Sequence, residues 1–266
     1  MPQKSIGFTP VLVLAACALA GTGNDSVADQ PQLKIFDGKP RTVVTIANSH
    51  GGGRGLKMMM DRYFDGKSPM VFKNVSGWST PVDPKTGAVQ PGSWLEKFSL
   101  EKEKALSHPI IVIALAGVAL PPPPRKGEAV PVNDETVKRG VETLEKFVQA
   151  LKDKGADEVF VSTYHYFDVA AQQGWNAQYN IDYTLKVYEA YNQKSGLHRA
   201  IDCITMTKEH HPLIVGDDQF HPNAAGHAVF THCWFEALLK HDGLEVPKWS
   251  LEEMDAALAK QKQAEK

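Results

Sequence analysis

Apolar and polar positions fall into three regimes along the chain. The first is an unbroken apolar and small-residue run from Ile6 to Ala20, preceded by Lys4 and followed by a polar stretch through Gly23, Asn24 and Asp25. Such a run is too short to span a bilayer stably and matches the apolar region of an export signal. The second regime, from Arg41 onward, alternates strand and helix patterns. Arg41 to Ala47 (RTVVTIA) is β-branched and apolar without a polar face, as in a strand covered on both sides. Further strands are expected at Met70 to Val75, at Pro109 to Leu120 (PIIVIALAGVAL), which is the most apolar segment of this regime, at Glu158 to Thr163 and at Ala200 to Ile204. Between them, helices are expected over Gly55 to Phe64, Trp94 to Leu106, Asn133 or Asp134 to Gly155, Ile181 to Gln193, and Asn223 to about His241. Pro121 to Pro124 forbid regular structure, so the segment through Pro131 is an exposed excursion, and residues 164 to 180 read as an aromatic, polar loop. The third regime is a tail in which Ser250 and Glu253 form a capping-box pattern and Leu251, Met254 and Leu258 recur at helical spacing.

Strands alternating with helices at this spacing imply an α/β fold: a three-layer α/β/α sandwich with a mainly parallel, doubly wound sheet. The expected organisation is a signal and tether over residues 1–30, one domain over 31–245, and a C-terminal amphipathic helix and tail over 246–266.

Composition narrows the function. At 266 residues and 42% hydrophobic the chain can bury one large core, and a net charge of -2 leaves no basic surplus for nucleic acid. Small molecules or glycans are the expected partners, with no membrane span in the mature protein. Two endings of the export signal stand: Leu14-Ala15-Ala16-Cys17 resembles a lipobox that would lipidate Cys17, and Ser26-Val27-Ala28 fits a small-x-small cleavage site. Both place the mature protein outside the cytoplasm, periplasmic or extracellular. There, Cys203 and Cys233 can form a disulfide or stay as buried thiols.

The candidate chemistry starts at Gly216 to His227 (GDDQFHPNAAGH). Asp218 stands three residues before His221, so its carboxylate can hold the imidazole Nδ1–H and leave Nε2 as a general base; alternatively, His221 before Pro222 is only a helix start. His210, His211, Asp217 and His227 crowd the same region, but no H-E-x-x-H pattern is present and His221 and His227 are six apart, so no metal or cofactor is expected.

Doubly wound sheets bind ligands at the carboxyl ends of their strands. The loop after the first strand reads Asn48-Ser49-His50-Gly51-Gly52-Gly53-Arg54-Gly55, with no Gly-Lys-Ser/Thr, and Leu56 occupies the last glycine's place in G-x-G-x-x-G, so a phosphate cradle is not expected. What remains is a serine at a strand-to-helix turn, Ser49, as nucleophile or helix cap.

Taken together, Ser49 after the first strand, Gly77 after the second and Asp218-x-x-His221 before the last core helix resemble the GDSL or SGNH hydrolases over roughly residues 41 to 240. The resemblance implies a flavodoxin-like fold, Ser49 as nucleophile, His221 as its base, Asp218 as orienting carboxylate, and the Ser49 and Gly77 N–H groups as oxyanion donors. Two departures are visible. Ala47-Asn48-Ser49-His50 stands where the family shows Gly-Asp-Ser, and Gly117-Val118-Ala119-Leu120 stands where it shows Gly-x-Asn-Asp. The oxyanion asparagine is thus missing at Ala119; Asn74 and Asn133 are the candidate substitutes, although Asn133 also stands at a helix start. His50, Arg54 and Trp78 can contact substrate or sit solvated on the surface. Trp94, Tyr164, Tyr166, Phe167 and Trp175 suggest rings for stacking on sugars, or loop packing. The expected activity is a secreted serine esterase acting on carboxylic esters, including acetyl groups on carbohydrate; the alternative is a non-catalytic glycan-binding or cell-envelope protein on the same fold.

Overall fold

The computed structural model describes residues 33–47, 53–66, 68, 70–76, 82–83, 86, 88–97, 100, 109–115, 120, 124–128, 130–170, 172, 174, 176–197, 199–254 and 256, excluding the side chains of 53, 54, 74, 76, 94 and 97. Five strands, β1 (Arg41–Ala47), β2 (Met70–Ser76), β3 (Ile110–Leu115), β4 (Glu158–Ser162) and β5 (Ala200–Ile201), form one sheet in the order β2-β1-β3-β4-β5. Every pairing is parallel, with Val43 opposite Phe72 on one side and Ile111 on the other. Among the described residues the named helices are α1 (Gly53–Tyr63), α2 (Trp94–Lys97), α3 (Asp134–Asp153), α4 (Ala177–Ser195), α5 (Cys203–Lys208) and α6 (Ala224–His241).

The period-two geometry of a strand sorts the apolar run of each strand onto two faces. Val44, Ile46, Val112, Ala114, Val159 and Val161 pack with Leu144, Phe147 and Leu151 of α3 and Val187 and Tyr188 of α4. Val43, Ile111, Ile113 and Phe160 pack with Leu56, Met59 and Met60 of α1 and Ala228, Phe230, Trp234 and Leu238 of α6. The three-layer sandwich is therefore present, with its strands buried on both sides as their unbroken apolar runs require. Among the described residues, no helix is long and apolar enough to cross a membrane.

Element boundaries differ from expectation where side chains cap or block the backbone. The expected strand Ala200 to Ile204 stops at Ile201, because the Asp202 side chain accepts the Thr205 N–H and starts α5. The outer edge of β5 is closed by Asn192, which accepts the Ala200 N–H and donates to the Ala200 carbonyl, both at 2.9 Å. An amide side chain thus occupies the place of a further strand. Helix α4 begins four residues earlier than expected, at Ala177, because Asn176 caps it by accepting the Tyr179 N–H. Asn133 forms a full capping box with Thr136 at the start of α3, its Oδ1 accepting the Thr136 N–H, so its place at the helix start is as expected. Cys203 and Cys233 are buried free thiols rather than a disulfide. Ser250 and Glu253 make the reciprocal capping bonds, opening a helical turn over 251–254.

Candidate active site

The dyad segment is built by a short hairpin ahead of α6. Val215 and Pro222 pair as an antiparallel bridge, and the Gly216 N–H donates to the His221 carbonyl at 2.8 Å. At the turn, Gln219 takes a φ of +56°, and its N–H donates to the Gly216 carbonyl. Asn223 locks the base of the hairpin to the helix. Its Oδ1 caps the Gly226 N–H, while its Nδ2 donates to the Leu213 and Val215 carbonyls. Gly226 has to be glycine for this to work: a Cβ there would lie 1.9 Å from the Ile214 carbonyl oxygen.

Within the hairpin, the Asp218 carboxylate divides its two oxygens. Oδ1 accepts the Phe220 N–H at 3.0 Å and the His221 N–H at 2.8 Å, and Oδ2 lies 2.5 Å from His221 Nδ1. The imidazole and the two backbone amides hold Asp218 well below the usual carboxylate range, so it is ionised and can only accept. His221 Nδ1 must then carry the proton, and Nε2 holds the lone pair, which is the arrangement of a histidine prepared to take a proton from a nucleophile. About half of each side chain is accessible (49% and 52%), so the pair faces outward rather than into the core.

The hairpin docks on the loop that leaves the carboxyl end of β4. His165 Nε2 meets the Phe220 carbonyl at 2.9 Å, and the Asp168 N–H reaches the Gln219 carbonyl at 3.4 Å. Phe220 packs edge-on to Phe167, with ring centroids 5.2 Å apart, and His221 stands edge-on to Phe220 at the same separation. Phe167, Ala177, Ile181 and Ile204 make a small buried cluster under this loop. The Asp218–His221 pair is therefore anchored at the carboxyl edge of the sheet, where doubly wound folds bind their ligands. Burial pushes the fully covered His165 down to about 4, aided by nearby His227, His221 and His211, so it is neutral near pH 7. His227, in the first turn of α6, is lowered by burial and then by the charge His221 can carry.

Of the expected site residues, Asp218 and His221 come together as anticipated. Ser49, His50, Gly77 and Trp78 lie outside the described residues, as do Ala119, Trp175 and Cys17. Arg54 falls in α1 and Asn74 in β2, opposite Thr45, but their side chains are also outside the description. Phe167 is not available for stacking on a sugar: it is fully buried as the floor of the hairpin. Among the described residues no group of histidines, cysteines and carboxylates could hold a metal ion. No spacing in the sequence singles out His165. Its one signal is position, three residues beyond the end of β4, and its role needs a contact across 55 residues.

No family model matches this chain, and no curated protein does. Among solved structures it is similar to a lipase/acylhydrolase from Enterococcus faecalis, at 15% identity over 79% of this chain and 100% of that one, with a TM-score of 0.47. It is also similar to a member of the lipolytic protein G-D-S-L family from Veillonella parvula DSM 2008, at 18% identity over 74% of this chain and 97% of that one, TM-score 0.43. TesA is a third, at 13% identity over 76% of this chain and 99% of that one, TM-score 0.44.

Proposed function

We propose that this protein is an exported serine hydrolase that cleaves carboxylic esters, O-acetyl groups on carbohydrate among them. The observation that carries the reading is the Asp218–His221 pair, with an ionised carboxylate 2.5 Å from Nδ1, held at the carboxyl edge of a parallel sheet. Strand order supports it as well. The order of strand addition reverses between β1 and β3, with β2 on one side of β1 and β3 to β5 on the other, and Ser49 follows β1 by two residues in the chain.

In this mechanism His221 Nε2 takes the Ser49 hydroxyl proton as Ser49 Oγ attacks the ester carbonyl, and Asp218 stabilises the imidazolium. The Ser49 and Gly77 N–H groups, with Asn74 as the candidate third donor in place of the asparagine missing at Ala119, hold the oxyanion. His221 then returns the proton to the leaving alcohol, and an activated water releases the acyl group by the reverse sequence. His50, Arg54 and Trp78 are the proposed substrate contacts. No cofactor takes part. Residues 1–30 serve as the export signal, with either Cys17 or the bond after Ala28 marking the mature end, and mass spectrometry of the secreted protein's N-terminus distinguishes the two.

Hydrolysis of p-nitrophenyl acetate by the wild-type protein and by Ser49→Ala is the direct test: turnover in the first and its loss in the second is expected, and equal turnover would sink the reading. The residue at Ala119 motivates one competitor, a glycan-binding protein that retains the fold without the reaction. Glycan binding without covalent labelling by a fluorophosphonate would select it.

A further inference from the structure

The Phe220–His221 peptide unit is gripped at both ends. Its N–H donates to Asp218 Oδ1 at 2.8 Å, within the hairpin itself. Its carbonyl faces His165 Nε2 at 2.9 Å, and this bond comes from a segment 55 residues away that is rooted in β4. A carbonyl oxygen can only accept, so His165 must be the Nε2–H tautomer and act as donor. Its ring is completely buried, edge-on to Phe230 of α6 with centroids 6.1 Å apart, so it has little room to reorient. The His221 side chain projects from the α-carbon that this peptide fixes. A shift of the carbonyl would therefore carry the imidazole with it while leaving the Asp218 carboxylate bonds, which are local to the hairpin, able to follow.

We propose that His165 is a positioning residue for His221, registering the general base against the sheet through the Phe220 carbonyl. The proposal rests on the hydrolase reading above for its kinetic consequence, but its structural content does not. Burial keeps His165 neutral near pH 7, which serves the same end: a second imidazolium beside His221, with His211 and His227 also near, would oppose the charge His221 gains during the reaction.

The test compares His165→Phe, which fills the volume without a donor, with His165→Gln, which retains one. Misplacing a base by about an ångström costs on the order of 10²-fold, so His165→Phe is expected to lower kcat by about 10- to 100-fold. KM should stay within about twofold, since ground-state binding is untouched. His165→Gln should recover most of kcat. Nitrogen-15 spectra of the histidines give an independent readout: the wild-type protein should show His165 as the Nε2–H tautomer, and the far-downfield Nδ1–H proton of His221 should persist in both variants because its Asp218 bond is local to the hairpin, while the His221 ring resonances shift in His165→Phe and return in His165→Gln. Wild-type kcat in a folded His165→Phe, or an Nδ1–H tautomer at His165, overturns the proposal. The tautomer is read on the wild-type protein, so it remains decisive even if a variant fails to fold. If Ser49→Ala keeps full turnover the hydrolase reading fails, while the spectra still decide whether His165 orders His221.

Discussion

At the scale of single residues, the dyad is a case in which local chain geometry and chemistry coincide. A spacing of three lets one carboxylate both close an Asx-type turn through Oδ1 and hold the imidazole through Oδ2, so Asp218–His221 could be read from the sequence without knowledge of the fold. Asp218→Asn would keep the shape but present an amide that can stabilise the wrong imidazole tautomer. For an orienting aspartate in a serine triad this change costs about 10⁴ in kcat, and a loss of that order is expected in the ester assay with little change in melting temperature. His165 makes a different prediction. Its ordinary value is 6.5, but in the folded chain burial keeps the proton off until about pH 4. Between those values the unfolded chain binds more protons than the native one, so stability falls as pH falls, and the window closes below pH 4. A shift of that size is worth about 3 kcal/mol across the window, with half-buried His227 and buried His232 displaced in the same direction. Urea denaturation at pH 7 and at pH 4.5 should show the loss in the wild-type protein and a smaller one in His165→Gln.

Secondary-structure elements were legible wherever the apolar pattern alone decides, as in β1, β3, β4, α3 and α6. They were not where a single side chain settles the boundary: the Asp202 cap ends β5 and opens α5 against a continuing apolar pattern, and the Asn176 cap starts α4 within residues read as a polar loop. Close approach between elements is equally invisible in one dimension. Gly226 and Gly140 are both helical glycines that alanine would ordinarily improve by about 1 kcal/mol. At Gly226 the added methyl would meet a backbone carbonyl at 1.9 Å, so either the dyad hairpin or α6 must move. Gly226→Ala should therefore cost about 1–3 kcal/mol and lower kcat as well, measured by thermal melts and the ester assay on the same preparation. At Gly140 the neighbours are the Val187 Cγ2 at 2.5 Å and the Tyr183 hydroxyl at 2.6 Å, which belong to side chains of α4 that can shift. Gly140→Ala should change melting temperature while leaving kcat intact, since α3 and α4 cover the sheet face away from α6.

For the molecule as a whole, helix α6 joins two functions at its two ends. At its start, Asn223 ties it to the dyad hairpin; at its finish, Asp242 receives the segment ahead of β1, accepting the Ile35 and Phe36 N–H groups at 3.0 and 2.6 Å while His241 Nε2 donates to the Leu33 carbonyl at 2.9 Å. Nothing in the sequence around Leu33 to Phe36 announced this attachment, because the segment forms no regular element and its partners lie more than 200 residues on. Asp242 is 8% exposed, so Asp242→Ala would leave two covered amides without an acceptor, at a cost of about 2–4 kcal/mol. With 18 residues at about 1.5 Å each, α6 separates this lock from the dyad by about 27 Å. A chain starting at Asp37 lacks Leu33, Ile35 and Phe36 and should lose about as much stability as Asp242→Ala. Both destabilised proteins should hydrolyse ester at the wild-type kcat below their melting temperatures. A fall in kcat that tracks the fall in stability would mean instead that α6 transmits strain from its end to the hairpin, and that the sheet's carboxyl edge alone does not hold His221 in place.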